Sequence, residues 1–234
     1  MNIRALLFSL CVFPFLYTKT VSATPVIAIG SMYDILTPEM QSMTKRIYNT
    51  GTSTAFVRVD VLEINPGGEK NDKESPQREV SGNTIEKERL IITPLRMIIP
   101  PSLFQTTRIL WPGSRLQERY YRVRFTPVMP DAVDSFGLDN HAVNEYRQKS
   151  LQAGLNVLTG YGTIVIVQPD NPKFNYLIDH SRPKIISIKN NGNATISLDN
   201  IRQCKPGNTE PPRFFWRVLS PEAQAARSLF ALEA

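Results

Sequence analysis

The sequence predicts an all-β protein made of antiparallel β-sandwiches. Three observations carry this. Apolar residues recur at every second position in several segments, the period of a half-buried strand. The chain's 18 prolines and scattered turn signals leave almost no room for an amphipathic helix of useful length. A second set of alternating segments follows the break "QPDNPKFN", so two sandwich domains are expected in tandem. The expected organisation is a signal peptide at 1–23, a first domain at 24–169, a linker at 170–173 and a second domain at 174–234. That second domain is short, near the lower limit at which a sandwich buries a core, and an incomplete sandwich is one reading of it.

The first 23 residues stand apart from both domains. Arg4, the apolar run Ala5 to Leu16 and the small-residue ending "VSA" before Thr24 form the three parts of a secretory signal. The mature chain is therefore expected to be exported. No later stretch approaches the roughly 20 apolar residues that a bilayer span needs, so no membrane insertion is expected after signal removal. Cys11 leaves with the signal, and Cys204 alone cannot form an internal disulfide. Without Arg4 and Lys19 there remain 25 basic and 21 acidic residues, a net charge of +4. This is too mild for a nucleic-acid-binding signature.

The alternation is clearest in "TAFVRVDVLEI", which puts Ala55, Val57, Val59 and Val61 on one face and Phe56, Arg58 and Asp60 on the other before the turn "NPGG". In "RYYRVRF", Tyr121, Val123 and Phe125 oppose Tyr120, Arg122 and Arg124 until Pro127 ends the run. "MTKRIYN", "LIITPLRMIIP" and "FQTTRILWPG" are further strand candidates bounded by Gly or Pro. Two polar segments interrupt them. Residues 66–84 are charged and predict a mobile hairpin extension, and residues 127–150 form a long polar connection.

That connection leads into "LQAGLNVLTGYGTIVIVQP", Leu151 to Pro169, which reads as one extended strand with unlike halves. The second half is apolar enough for core. In the first half Leu155, Val157, Thr159 and Tyr161 point one way, and from the residues alone they read as ordinary core. In the second domain "FNYLIDHS" and "KIISIKNNGNATISLDNIRQC" alternate around the turn "NNGN". The tail "SPEAQAARSLFALEA" predicts a short helix with Ser220 as N-cap and Pro221 at its first position.

Chemical motifs are sparse. His141 and His180 stand without metal-ligand spacing, and no nucleophile elbow, phosphate loop or dinucleotide fingerprint occurs, so neither an enzyme nor a cofactor is expected. Asn193 to Thr195 matches a glycosylation triplet, but at a turn where Asn and Gly are expected anyway. Arg122 and Arg124 are either a solvated face or an anion site, because guanidinium groups hold carboxylates bidentately.

"ERYYRVRF", preceded by "LIITPLRMIIPPSLFQTTRIL" and followed by "GYGTIVIVQP" and "ISIKNNGNATISLDNIRQC", resembles the periplasmic chaperones of chaperone/usher pilus assembly, in the alternate branch serving common-pilus and colonisation-factor fimbriae. The resemblance spans roughly Val26 to Cys204. It implies two immunoglobulin-like domains without enzymatic activity, a periplasmic location, and pilus subunits and an outer-membrane usher as partners. In such proteins the chaperone lends an edge strand to a subunit that lacks its own last strand. The resemblance puts that donor at Leu155, Val157, Thr159 and Tyr161. A structural pilin or adhesin-like sandwich is the alternative.

The chain also departs from the pattern. The better-known branch holds the subunit's terminal carboxylate with an Arg on the first strand and a Lys on the donor strand. Here "PVIAIGSMYDIL" has no Arg and Leu151 to Pro169 contains no basic residue. Arg46, Arg122 and Arg124 are the remaining anchor candidates. Glu118 matches an acid whose usual interdomain partner is an Arg, yet Gln168 stands in that place, so the usual ion pair is not expected. Relatives continue past the position of Cys204 with a second cysteine and closing strands, which are not recognisable here; a truncated second domain is one outcome.

Overall fold

The structure, a computed structural model, describes residues 24–65, 73–77, 89–130, 136–152, 158–182, 185–201, 215–219 and 228–231. Among them the chain is nearly all β, with one helix. One sheet runs β1 (Ile27–Ala28), β3 (Ser42–Asn49), β8 (Phe104–Leu110), β6 (Ile91–Thr93). The other runs β2 (Tyr33–Leu36), β10 (Tyr161–Val167), β9 (Arg119–Val128), β4 (Ala55–Asn65), β5 (Lys73–Pro76), with β7 (Arg96–Ile99) also paired to β4. The alternation becomes the core between them. Val57 and Val59 of β4, Tyr121, Val123 and Phe125 of β9, and Val165 and Val167 of β10 cluster with Ile27, Ile47, Ile92 and Ile109. Each such side chain contributes roughly 1.5–3 kcal/mol by leaving water.

The N-terminal segment serves both sheets. Ile27 and Ala28 pair antiparallel with β3, and Tyr33 to Leu36 then pair parallel with β10 in the opposite sheet. Gly30 makes the crossing at φ +70°, a conformation that costs a side-chain-bearing residue more. β6 and β7 divide likewise between the sheets, with a cis Thr93–Pro94 bond between them.

Four connections correct the sequence reading. The helix α1 (Asn140–Gln152) forms in the long polar connection, so Leu151 and Gln152 end a helix and the strand begins at Tyr161. Asp139 caps it, its carboxylate accepting from Ala142 N at 2.7 Å. Val143 is buried, while Tyr146 stacks edge-on against Phe56 with centroids 4.8 Å apart and donates to the Thr54 carbonyl at 2.7 Å. α1 thus covers an aromatic ring on the outer side of β4, a tertiary contact that outweighs its weak helical pattern.

Within the charged extension, Lys73 to Pro76 pair antiparallel with Leu62 to Asn65, so this part of it is a strand, β5, while residues 66–72 and 78–84 lie outside the described residues. β9 runs through Pro127 instead of ending there, pairing it with Val57. The last β9 residue paired with β10 is Phe125, so the N–H that proline lacks interrupts nothing on that side. In the tail, Ser228 to Ala231 form a strand where a helix was expected. Ser220 and Pro221 lie outside the described residues, as do the signal segment and Cys204.

The remaining strands all follow residue 175. β11 (Tyr176–Arg182), β12 (Ile185–Asn190) and β15 (Ser228–Ala231) form one antiparallel sheet, and β13 (Ile196–Ile201) pairs with β14 (Phe215–Leu219). Two strands therefore follow the position of Cys204, where closing strands were not expected. The "NNGN" turn clamps the preceding break: Asn193 Oδ1 accepts from Lys173 N at 2.5 Å and its Nδ2 donates to the Asn171 carbonyl at 3.1 Å. Gly192 has to be glycine there, since an added Cβ would fall on the Lys173 carbonyl oxygen.

Candidate functional site

β10 is paired unequally along its two sides. β9 pairs with every residue from Tyr161 to Val167, whereas β2 pairs only with Ile164 to Val167. On the β2 side, Tyr161, Gly162 and Thr163 meet no strand among the described residues. Main-chain groups at such an edge can accept another strand. Of the expected donor residues, Leu155 and Val157 lie outside the described residues, and Thr159 is exposed just before the strand. Tyr161 is half-buried against this sandwich's own core, so its ring already has an internal packing partner.

The structure brings two of the three anchor candidates together. Arg122 and Arg124 sit on the outer face of β9, opposite Ile164 and Gly162 of β10. β10 itself has no basic residue from Tyr161 to Val167, and these two lie on the strand beside it. One carboxylate, Glu74 of β5, bridges them: Arg122 Nε donates to Oε1 and Arg124 Nη2 to Oε2. A depression of about 330 Å³ lies beside them, reaching Thr126, Gly160 and Tyr161. Arg46 is elsewhere. It is exposed on β3 in the other sheet, with its guanidinium 5.3 Å from the ring centre of Phe104.

Two residues along the same face of β9, Tyr120 reaches the later strands. It packs with Ile64 and Ile166 on that face, and its hydroxyl lies 2.5 Å from Glu118 Oε2 and 3.3 Å from Thr195 Oγ1. Thr195 donates to Glu118 twice, from its backbone N at 3.0 Å and its hydroxyl at 2.7 Å. Glu118 thus accepts from the hydroxyls of Tyr120 and Thr195 and from the Thr195 amide. Gln168, in the place of the usual Arg, is buried and contributes its backbone, with N donating to Leu36 O at 3.0 Å.

Two further cations escaped the sequence reading. Lys45 is buried on the core side of β3 and meets Asp34 of β2 at 2.8 Å, joining the two sheets, with a further bond to the Ser31 carbonyl at 2.8 Å. Arg115 is buried at the far end of β10. It donates to the carbonyls of Leu36, Thr37, Met40 and Gln168, tying the ends of β2 and β10 together. Burial lowers its pKa from the ordinary value, while the charges of Asp170 and Glu39 act in the opposite direction. Both cations fix the strand beside the open edge. Among the described residues no group of three or more metal-binding side chains occurs, and no helix is long and apolar enough to cross a membrane.

No protein-family model matches the chain. A curated Escherichia coli protein, named as a CFA/I fimbrial subunit, is 25% identical over 166 residues, 70% of this chain and 63% of that protein. The matched region thus spans less than two thirds of that relative's length. Among solved structures, the class 5 fimbriae chaperone CfaA superposes with a TM-score of 0.50 at 21% identity, covering 83% of this chain and 80% of that one. A chain of a chaperone–tip adhesin complex of CFA/I fimbriae biogenesis does so with a TM-score of 0.50 at 20% identity, covering 84% and 85%. The resemblance read from strand order holds in three dimensions: this chain carries the fold of the chaperones of chaperone/usher pilus assembly.

Proposed function

We propose that this protein is a periplasmic, non-enzymatic chaperone that binds pilus subunits by donating an edge strand and delivers them to an outer-membrane usher. The half-paired β10 carries the reading. Among the described residues its β2 side is open from Tyr161 to Thr163, immediately after the segment holding Leu155, Val157 and Thr159. Extended N-terminally, that segment would present alternate side chains to a subunit groove while its backbone completes the subunit's sheet. In this reading the first domain ends at 169, residues 170–173 link it to a second domain, and Arg122 with Arg124 anchors the subunit's terminal carboxylate.

The pilin-like alternative is not favoured. A pilin's donor extension would precede its fold, whereas residues 27–36 are already committed to both sheets of this one. Co-expression of the exported chain with a pilus subunit tests the donor assignment. Leu155→Glu combined with Val157→Glu should abolish the complex while leaving the melting temperature of the free chain nearly unchanged. A complex that survives both charges would sink the donor assignment.

A further inference from the structure

Glu74 occupies the place that a foreign carboxylate would take. Its two oxygens are divided between Arg122 and Arg124, the arrangement in which paired guanidinium groups receive a carboxylate. All three side chains remain open to water, being 31%, 48% and 25% exposed for Arg122, Arg124 and Glu74. Ion pairs of this exposure are weak and exchange readily. The strand that brings Glu74, β5, is four residues long and, among the described residues, lies at the end of its sheet, paired only with β4. The adjoining depression opens at Gly160 and Tyr161, where the edge of β10 that meets no strand among the described residues begins.

We propose that Glu74 is an internal stand-in for the subunit's terminal carboxylate, so that capture exchanges one carboxylate for another at Arg122 and Arg124. This rests on the reading of that pair as the anchor for the subunit. With Glu74 in place the pair keeps one net positive charge instead of two, so an incoming carboxylate gains most by displacing Glu74. A ligand that also adds a strand to β10 gains main-chain hydrogen bonds that a free anion lacks. Glu74 thereby favours strand-bearing carboxylates over unrelated anions.

The test uses the mature full chain and the peptide acetyl-Val-Thr-Val-Thr-Val-Tyr, either as the free acid or amidated. Glu74→Gln keeps the side-chain shape and removes the charge. It should tighten the free acid by about tenfold if Glu74 closes the pair roughly nine-tenths of the time, and leave the amide unchanged. In the unsubstituted protein the Nε–Hε NMR signals of Arg122 and Arg124 should move together with the free acid and stay still with the amide. That readout does not depend on the variant. Equal free-acid affinity for the two proteins, with the amide weaker, would overturn the stand-in and leave the anchor standing. Equal binding of acid and amide, or binding of neither, would overturn the anchor and the stand-in with it.

Discussion

Two regions of the sandwich built from β1 to β10 use the same chemistry to different ends. Lys45 and Asp34 form an ion pair between the sheets with side chains only 5% and 7% exposed. Arg122 and Arg124 share Glu74 on an outer face, where exposure runs from 25% to 48%. In the interior neither partner can be released without stranding a charge that water cannot reach. At the surface water replaces a lost partner at little cost. Access to solvent therefore separates a cation that holds the fold from a cation able to take a ligand.

Breaking the buried pair should produce the largest effect. Lys45→Met leaves Asp34 charged and uncompensated, with an expected loss of about 3–5 kcal/mol in urea denaturation. Lys45→Met together with Asp34→Leu should recover most of that loss, because two apolar groups need no partner. If the double variant is no better than the single, the pair matters for its packing and not for its charge.

The surface pair should respond much less. Arg122→Ala is expected to lower stability by no more than about 1 kcal/mol, since the arginine is about a third exposed and screened by solvent. A loss as large as that of Lys45→Met would make the Glu74 bridge a structural tie and remove the distinction drawn between the two regions.

The same distinction explains what could be read beforehand. The strands of that sandwich were legible because period two and a buried face impose each other: Val57, Val59, Val123 and Phe125 alternate in the sequence and meet in the core. Arg122 and Arg124 were legible as a pair because strand parity alone puts them on one outer face. Glu74 was not, because its segment has almost no apolar residue and acquires order only by pairing with the far end of a long β4. α1 escaped for a related reason: its stability comes from Phe56, more than 80 residues earlier in the chain. Lys45 left a usable signal. It shares parity with Ile47 in "MTKRIYN", as Asp34 does with Leu36 in "YDIL", and opposite charges on two inward faces point to a buried pair. The proposed donor residues Leu155 and Val157 resist such reading, because alternation in a sequence looks the same whether the core it serves belongs to this chain or to another.

The smallest effect is expected where a carboxylate is fully in water. Glu39 lies within the turn that Arg115 braces, yet the leading cause of its lowered pKa is the hydrogen bond from the Thr37 side chain; the charge of Arg115 comes last. A folded-state pKa below the ordinary value means stabilisation that is complete above the ordinary carboxylate range and is lost as pH falls through the lowered value. Thr37→Val removes the hydroxyl and keeps the backbone carbonyl that accepts from Arg115. It should therefore raise the Glu39 pKa towards its ordinary value in a carbon-detected NMR titration and shrink the acid-side loss of stability. An unchanged titration would leave the backbone hydrogen bond of Glu39 or the Arg115 charge as the cause; only the second, a charge acting through open water, would undo exposure as the reason the Glu74 contact is weak.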